Sequence, residues 1–163
     1  MSTATLNVQA SRAKGANQAN RSTEDEAAVL AVMDTLRKAH LEKNAGLFAA
    51  QFTTDAAIFN LAPPLIHHGV DLKEKQTWMD SWTTPIEINS RDVKVTVSGD
   101  FAFVHGYLQM NGTKKGAEGS VSFWMRETLC LERQGSGWRI VHEHTSVPFY
   151  MDGTFRPAFD LKP

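Results

Sequence analysis

The chain has 163 residues, 42% of them hydrophobic and 21% charged, with a formal net charge of −1. That length suits one domain with a core that needs no covalent staples, since a domain of about 150 residues buries roughly 70% of its unfolded surface. The charge balance leaves no basic arm or face to grip phosphates, no apolar run is long enough to cross a membrane, and the single cysteine, Cys130, excludes an internal disulfide and a Cys-rich metal motif.

In chain order, residues 1–22 are polar and read as a flexible N-terminal tail ahead of a single domain over residues 23–163. Thr23-Glu24-Asp25-Glu26 has the form of a capping box and predicts a helix start. Val29, Val32, Met33, Leu36 and His40 then fall on one helical face, and the helix is expected to run from about Glu24 to Lys43. A short second helix, Ala45 to Gln51, carries Leu47, Phe48 and Phe52 at its edge. Thr53-Thr54-Asp55 reads as a turn and Ala56 to Asn60 as a short strand ended by Pro63-Pro64, because proline cannot donate to a sheet ladder. His67-His68-Gly69 leads into a third helix, about Val70 to Trp82, with Trp78, Met79 and Trp82 on its apolar face.

After Pro85 the period changes from helical to alternating. Long strands are expected over Ile86–Ser98, Phe101–Asn111, Ser120–Arg133 and Trp138–Pro148, joined by turns at Gly99-Asp100, Gly112 to Gly119 and Gly135-Ser136-Gly137. Strands joined by tight turns are antiparallel. The class is therefore α+β, with N-terminal helices covering one face of the sheet. The residues from Phe149 onward read as a tail lying against the body.

Two strands are apolar on both sides: Phe123, Met125, Leu129 and Leu131 against Trp124 and Cys130, and Phe101, Phe103 and Tyr107 against Val104, Leu108 and Met110. An antiparallel sheet ordinarily wets one face. The helices cover one side, and a second copy of the chain would cover the other, so a homodimer is expected; the tail and long polar stems are the other candidates for that cover.

The last strand places Trp138, Ile140, His142, His144 and Ser146 on one side, and the leading Trp and Ile suggest that this side faces inward. His142 and His144 would then stand about 7 Å apart on an inner wall, each a candidate acid or base because imidazole titrates near pH 6.5. Arg126, mid-strand, either orients a polar ligand group or pairs with an acid: Glu143, Asp55 or one from a partner chain. His40 is either a core histidine or part of the pocket ceiling, and His105 could face either way. Asn60, Trp82 and Ser146 complete the candidate ligand-pocket set. His142-x-His144 has metal-ligand character, but no third ligand has fixed spacing, so neither a metal nor another cofactor is expected.

Four stretches resemble the nuclear transport factor 2-like superfamily in its SnoaL-like, ketosteroid isomerase-related branch: Phe59-Asn60-Leu61-Ala62-Pro63-Pro64-Leu65, His68-Gly69, Ser98 to Gly106, and Trp138 to Pro148. The resemblance implies a cone-shaped, curved, antiparallel-dominated sheet (a cystatin-like α+β domain) packed against the N-terminal helices around a pocket, in a dimer. It implies a small-molecule ligand and chemistry such as isomerisation, cyclisation or dehydration, or binding alone. Asn60 stands where close relatives would carry Asp, and neither Tyr107 nor Tyr150 matches the tyrosine of a ketosteroid isomerase. The expectation is an acid/base enzyme on a small, partly apolar substrate, or alternatively a non-catalytic binding or dimerisation module, in the cytoplasm, with no nucleic acid or membrane as partner.

Overall fold

In a computed structural model of the chain, residues 3–163 are described, with side chains from Ser22 onward. Helix α1 is Thr3–Leu41, followed by α2 (Ala45–Ala49), β1 (Phe52–Phe59), β2 (His67–His68), α3 (Leu72–Asp80), β3 (Glu87–Ser98), β4 (Phe101–Thr113), β5 (Ser120–Gln134) and β6 (Gly137–Ser146). Thr23 to Glu26 lies inside α1, so the capping-box pattern does not mark where the helix begins. The tail expected over residues 1–22 falls mostly on residues whose side chains lie outside those described; the backbone of α1 starts at Thr3. None of the described helices is long and apolar enough to cross a membrane.

The strands form one curved, unclosed six-stranded sheet in the order β2-β1-β6-β5-β4-β3. All neighbours are antiparallel except β1 and β6. The α+β class and the helix-covered cone expected from the sequence are what the chain forms. Strand β1 begins earlier than its apolar run suggests, taking in Thr53, Thr54 and Asp55, because its first residue pairs with Ile140 of β6. His67 and His68, ahead of the third helix, form a short strand on the edge of β1. Gly69 makes that edge possible: its φ is +71°, and a Cβ there would stand 2.2 Å from the Thr54 carbonyl oxygen.

The core lies between α1 and the concave face of the sheet. Val29, Val32, Met33, Leu36 and Ala39 of α1 meet Ala102 and Val104 of β4, Leu129 and Leu131 of β5, and Trp138 and Ile140 of β6. Arg133 fastens the closed end, pairing with Asp25 of α1 at 2.6 Å and Asp100 at 2.9 Å while its guanidinium covers the Trp138 ring. The helices are tied through Gln76, whose amide accepts from the Ala45 N–H at 3.1 Å and donates to the Lys43 carbonyl at 2.9 Å. Asn44 and Asp71 cap α2 and α3 by accepting from the Leu47 and Glu74 N–H groups, each at 2.8 Å. The C-terminal segment folds back, burying Ala158 and resting Phe159 on Phe123.

One irregularity decides which residues reach the interior. In the β5–β6 ladder Leu131 pairs with Ile140 and Cys130 with His142, so Val141 is an extra residue in β6. Such a bulge sets two residues of one strand against one of its partner and reverses the alternation beyond it. Trp138 and Ile140 face the core, but past Val141 the inward positions are Glu143 and Thr145. His142 and His144 lie on the outer face with Phe59.

Candidate active site

Between the helices and the open end of the sheet lies a cavity of about 290 Å³. Its walls are apolar: Met33 and Leu36 of α1, Phe48 of α2, Trp78 of α3, Ile58 of β1, Ile88 of β3, Leu108 and Met110 of β4, and Met125 of β5. The rim comes from Asn60 to Pro63, His67, Asp71 and Glu74, with Arg37 at the edge. His67 approaches Glu74 at 4.0 Å.

Four titratable side chains from four elements converge on this cavity: His40 of α1, Lys75 of α3, Glu127 of β5 and Glu143 of β6. The His40 Nδ1 lies 2.9 Å from the Leu36 carbonyl. A carbonyl only accepts, so Nδ1 carries the proton and Nε2 offers its lone pair, accepting from Lys75 Nζ at 3.3 Å. The imidazole also stands edge-on to Phe48 and Trp78. Burial, reinforced by the Lys75 charge, lowers the His40 pKa to about 3, against a smaller opposing effect of the Leu36 hydrogen bond. It is a neutral acceptor throughout the physiological range.

Lys75 Nζ sits 3.7 Å from the centre of the Phe48 ring and 4.6 Å from that of Trp78. Burial lowers its pKa to about 8, the Glu143 carboxylate partly offsetting the loss of hydration. Glu127 is only 6% exposed. Burial, and then the neighbouring Glu143, push its pKa up to about 8. Burial also raises Glu143, while Lys75 and His142 pull it back. Glu127 pairs in register with Thr145 and Glu143 with Leu129, so the two acids are diagonal neighbours on the inner face. Two acids so placed do not ionise together readily. Lys75 and His142 favour the charged form of Glu143, whereas Glu127 stays protonated near neutral pH. The cavity thus presents a neutral acid, a second carboxyl group and a buried lysine.

Of the residues the sequence suggested, His40 and Asn60 line the cavity, Asn60 at the rim with its side chain accepting from the Leu61 N–H at 2.9 Å. The others lie elsewhere. Trp82 is buried in the core beyond the cavity lining. Arg126, between Tyr107 and Ser146 in register, lies on the outer face with both. His105 is exposed there beside Phe103. His142 donates from Nδ1 to the Ala57 carbonyl at 2.8 Å, and its ring lies 6.5 Å from that of His144. The inner wall expected of these two histidines is occupied by Glu143 and Thr145, because the Val141 bulge turns the strand over. Among the described residues no group of His, Cys, Asp and Glu has the arrangement of a metal site.

Lys75, Glu127 and Glu143 were not among the suggested residues. Glu127 carries a legible signal: Phe123, Met125, Leu129 and Leu131 make an apolar period-2 series with an acid at its centre. Lys75 likewise precedes Trp78, Met79 and Trp82 at helical spacing. Glu143 has no such signal, since the bulge that turns it inward leaves no mark in the local sequence.

A model of the SnoaL-like domain matches residues 29–150. Among solved structures, an NTF2-like protein of unknown function from Pseudomonas putida is similar at 26% identity, over 87% of this chain and 99% of its own, with a TM-score of 0.76. A candidate dehydratase of the NTF2-like family from Streptomyces avermitilis shares 17% identity over 76% and 96%, with a TM-score of 0.65. A candidate ketosteroid isomerase from Shewanella frigidimarina shares 19% over 71% and 91%, with a TM-score of 0.58. At such identities the last two inform the fold alone. No curated protein matches the sequence. The chain belongs to the SnoaL-like family, within the NTF2-like superfamily.

Proposed function

We propose that this protein is an acid/base enzyme of isomerase, cyclase or dehydratase type, acting on a small, partly apolar carbonyl compound held in the cavity. The observation that carries this reading is the diagonal pair Glu127 and Glu143 at the base of an apolar cavity. Glu143 as carboxylate takes a proton from carbon next to the carbonyl. Glu127, protonated, donates to the oxygen on which negative charge develops. Lys75 adds positive charge on the same side.

The test is exchange of the acidic C–H of 2-indanone in D₂O, followed by proton NMR. The wild-type protein accelerates exchange, and Glu143→Gln lowers the rate by about a hundredfold, the usual contribution of a positioned base. A folded Glu143→Gln protein with wild-type exchange removes Glu143 from the mechanism.

We further propose that the outer sheet face is covered by a second copy of the chain. Phe59, Phe101, Phe103 and Tyr107 are each exposed by more than a third, on one continuous face. Native mass spectrometry checks this: a dimer is expected for the wild type and a monomer for Phe103→Asp. A wild-type monomer at micromolar concentration refutes it.

A further inference from the structure

The acid/base reading leaves Lys75 as a bystander charge, yet its setting differs from that of a structural ammonium. A lysine that stabilises a fold from within is held by a carboxylate in contact. No ion pair holds Lys75 among the described residues. Its hydrogen bond goes to the neutral imidazole of His40, whose tautomer is fixed by the Leu36 carbonyl. That acceptor serves an ammonium and a free amine equally, and in the amine it leaves the nitrogen lone pair free. The nitrogen sits between the faces of Phe48 and Trp78, and Lys75 forms part of the cavity wall.

We propose that Lys75 is an amine nucleophile that forms an imine with a small aldehyde or ketone bound in the cavity. This rests on the reading that the cavity takes a carbonyl compound. The lone pair of Nζ adds to the carbonyl carbon, the C=O π pair goes to oxygen, and oxygen takes up the proton that nitrogen loses, giving a carbinolamine. A carboxylic acid of the Glu127–Glu143 pair then protonates the hydroxyl. Water leaves as the C=N bond forms, and the resulting carboxylate faces the iminium. The sum is amine, carbonyl and carboxylic acid giving iminium, carboxylate and water, with no change of oxidation state. Once formed, the iminium acidifies the neighbouring C–H that the carboxylate removes.

His40 from α1 bonds Nζ and Glu143 from β6 acts on its charge, and the other titratable or charged groups lining the same cavity are Glu127 of β5, Arg37 of α1, Asp71, Glu74 and His67. Burial is the largest influence on the amine and Glu143 the opposing one, with the pKa at about 8. At pH 7.5 roughly two hundred times more of it is unprotonated than of a surface lysine titrating near 10.5.

The experiment incubates the full-length protein with benzaldehyde and sodium cyanoborohydride at pH 7.5 and maps benzylated lysines by peptide mass spectrometry against time. Lys75 is expected to be labelled about tenfold or more faster than the exposed Lys38 and Lys73, with a rate that rises through pH 8. Labelling of Lys75 no faster than Lys73 overturns the proposal. Lys75→Arg keeps the cation and the stem, so if Lys75→Met fails to fold, loss of fast labelling in Lys75→Arg serves the same purpose; fast labelling that survives there overturns the assignment. Glu143-dependent exchange of 2-indanone with an unlabelled Lys75 sinks the imine and leaves the acid/base reading intact, whereas a labelled Lys75 with no exchange does the reverse.

Discussion

Replacing Glu127 by Gln tests the electrostatics of the cavity without reference to any substrate. Glutamine has the shape of the protonated acid and keeps a hydrogen-bond donor, so it mimics the form the folded protein prefers. The folded pKa is raised from 4.5 to about 8. Between those values the folded state holds a proton that the unfolded state has released, so stability falls as pH rises through that window and levels off above it. At about 1.4 kcal/mol per pH unit, a displacement of this size corresponds to roughly 5 kcal/mol of stability lost between pH 4.5 and pH 8. The variant lacks this loss. Urea unfolding at pH 5 should give nearly equal midpoints for the two proteins, while at pH 8.5 Glu127→Gln should be the more stable by several kcal/mol. The groups that titrate alongside are common to both proteins, so the difference curve belongs to Glu127 and its coupling to Glu143. A stability difference that stays constant from pH 5 to pH 8.5 would falsify the claim that a buried, protonated acid stands at the cavity floor.

Two further measurements bear on the same geometry. Nitrogen-15 NMR of the imidazole rings should show His40 as the Nδ1–H tautomer with no titration between pH 5 and pH 8, since its pKa lies near 3; a midpoint near 6.5 would place the ring in solvent. His40 also makes the fold acid-sensitive, because the unfolded chain takes up a proton there below about pH 6.5 that the folded one refuses until far lower pH. Gly69→Ala forces a Cβ to within 2.2 Å of the Thr54 carbonyl at a positive φ, and should lower stability by about 2–3 kcal/mol in urea unfolding. A neutral result would mean that the β1–β2 edge is not built as described.

The sequence alone determined the class and much of the order. The change from helical to alternating period after Pro85 separates helices from sheet, the glycine turns define the long hairpins, and the α1 stripe from Val29 to Leu36 is the stripe that packs on the sheet. These are local patterns, carried by neighbours a few residues apart. The family resemblance added the cone around a cavity.

Which side chains enter that cavity is a different kind of fact. Strand alternation from Trp138 and Ile140 points to His142 and His144, and would hold for a regular strand. Accommodating Val141 against β5 turns the strand over, so that Glu143 faces Lys75 and the histidines face out with Phe59. A bulge arises from the ladder between two strands, and a single strand read alone contains no sign of it. His40, Lys75, Glu127 and Glu143 come from four elements, and only the closing of α1 and α3 over the curved sheet gives them a shared low-dielectric space. That space, rather than any one residue's identity, is what moves their pKa values and gives the cavity its chemistry.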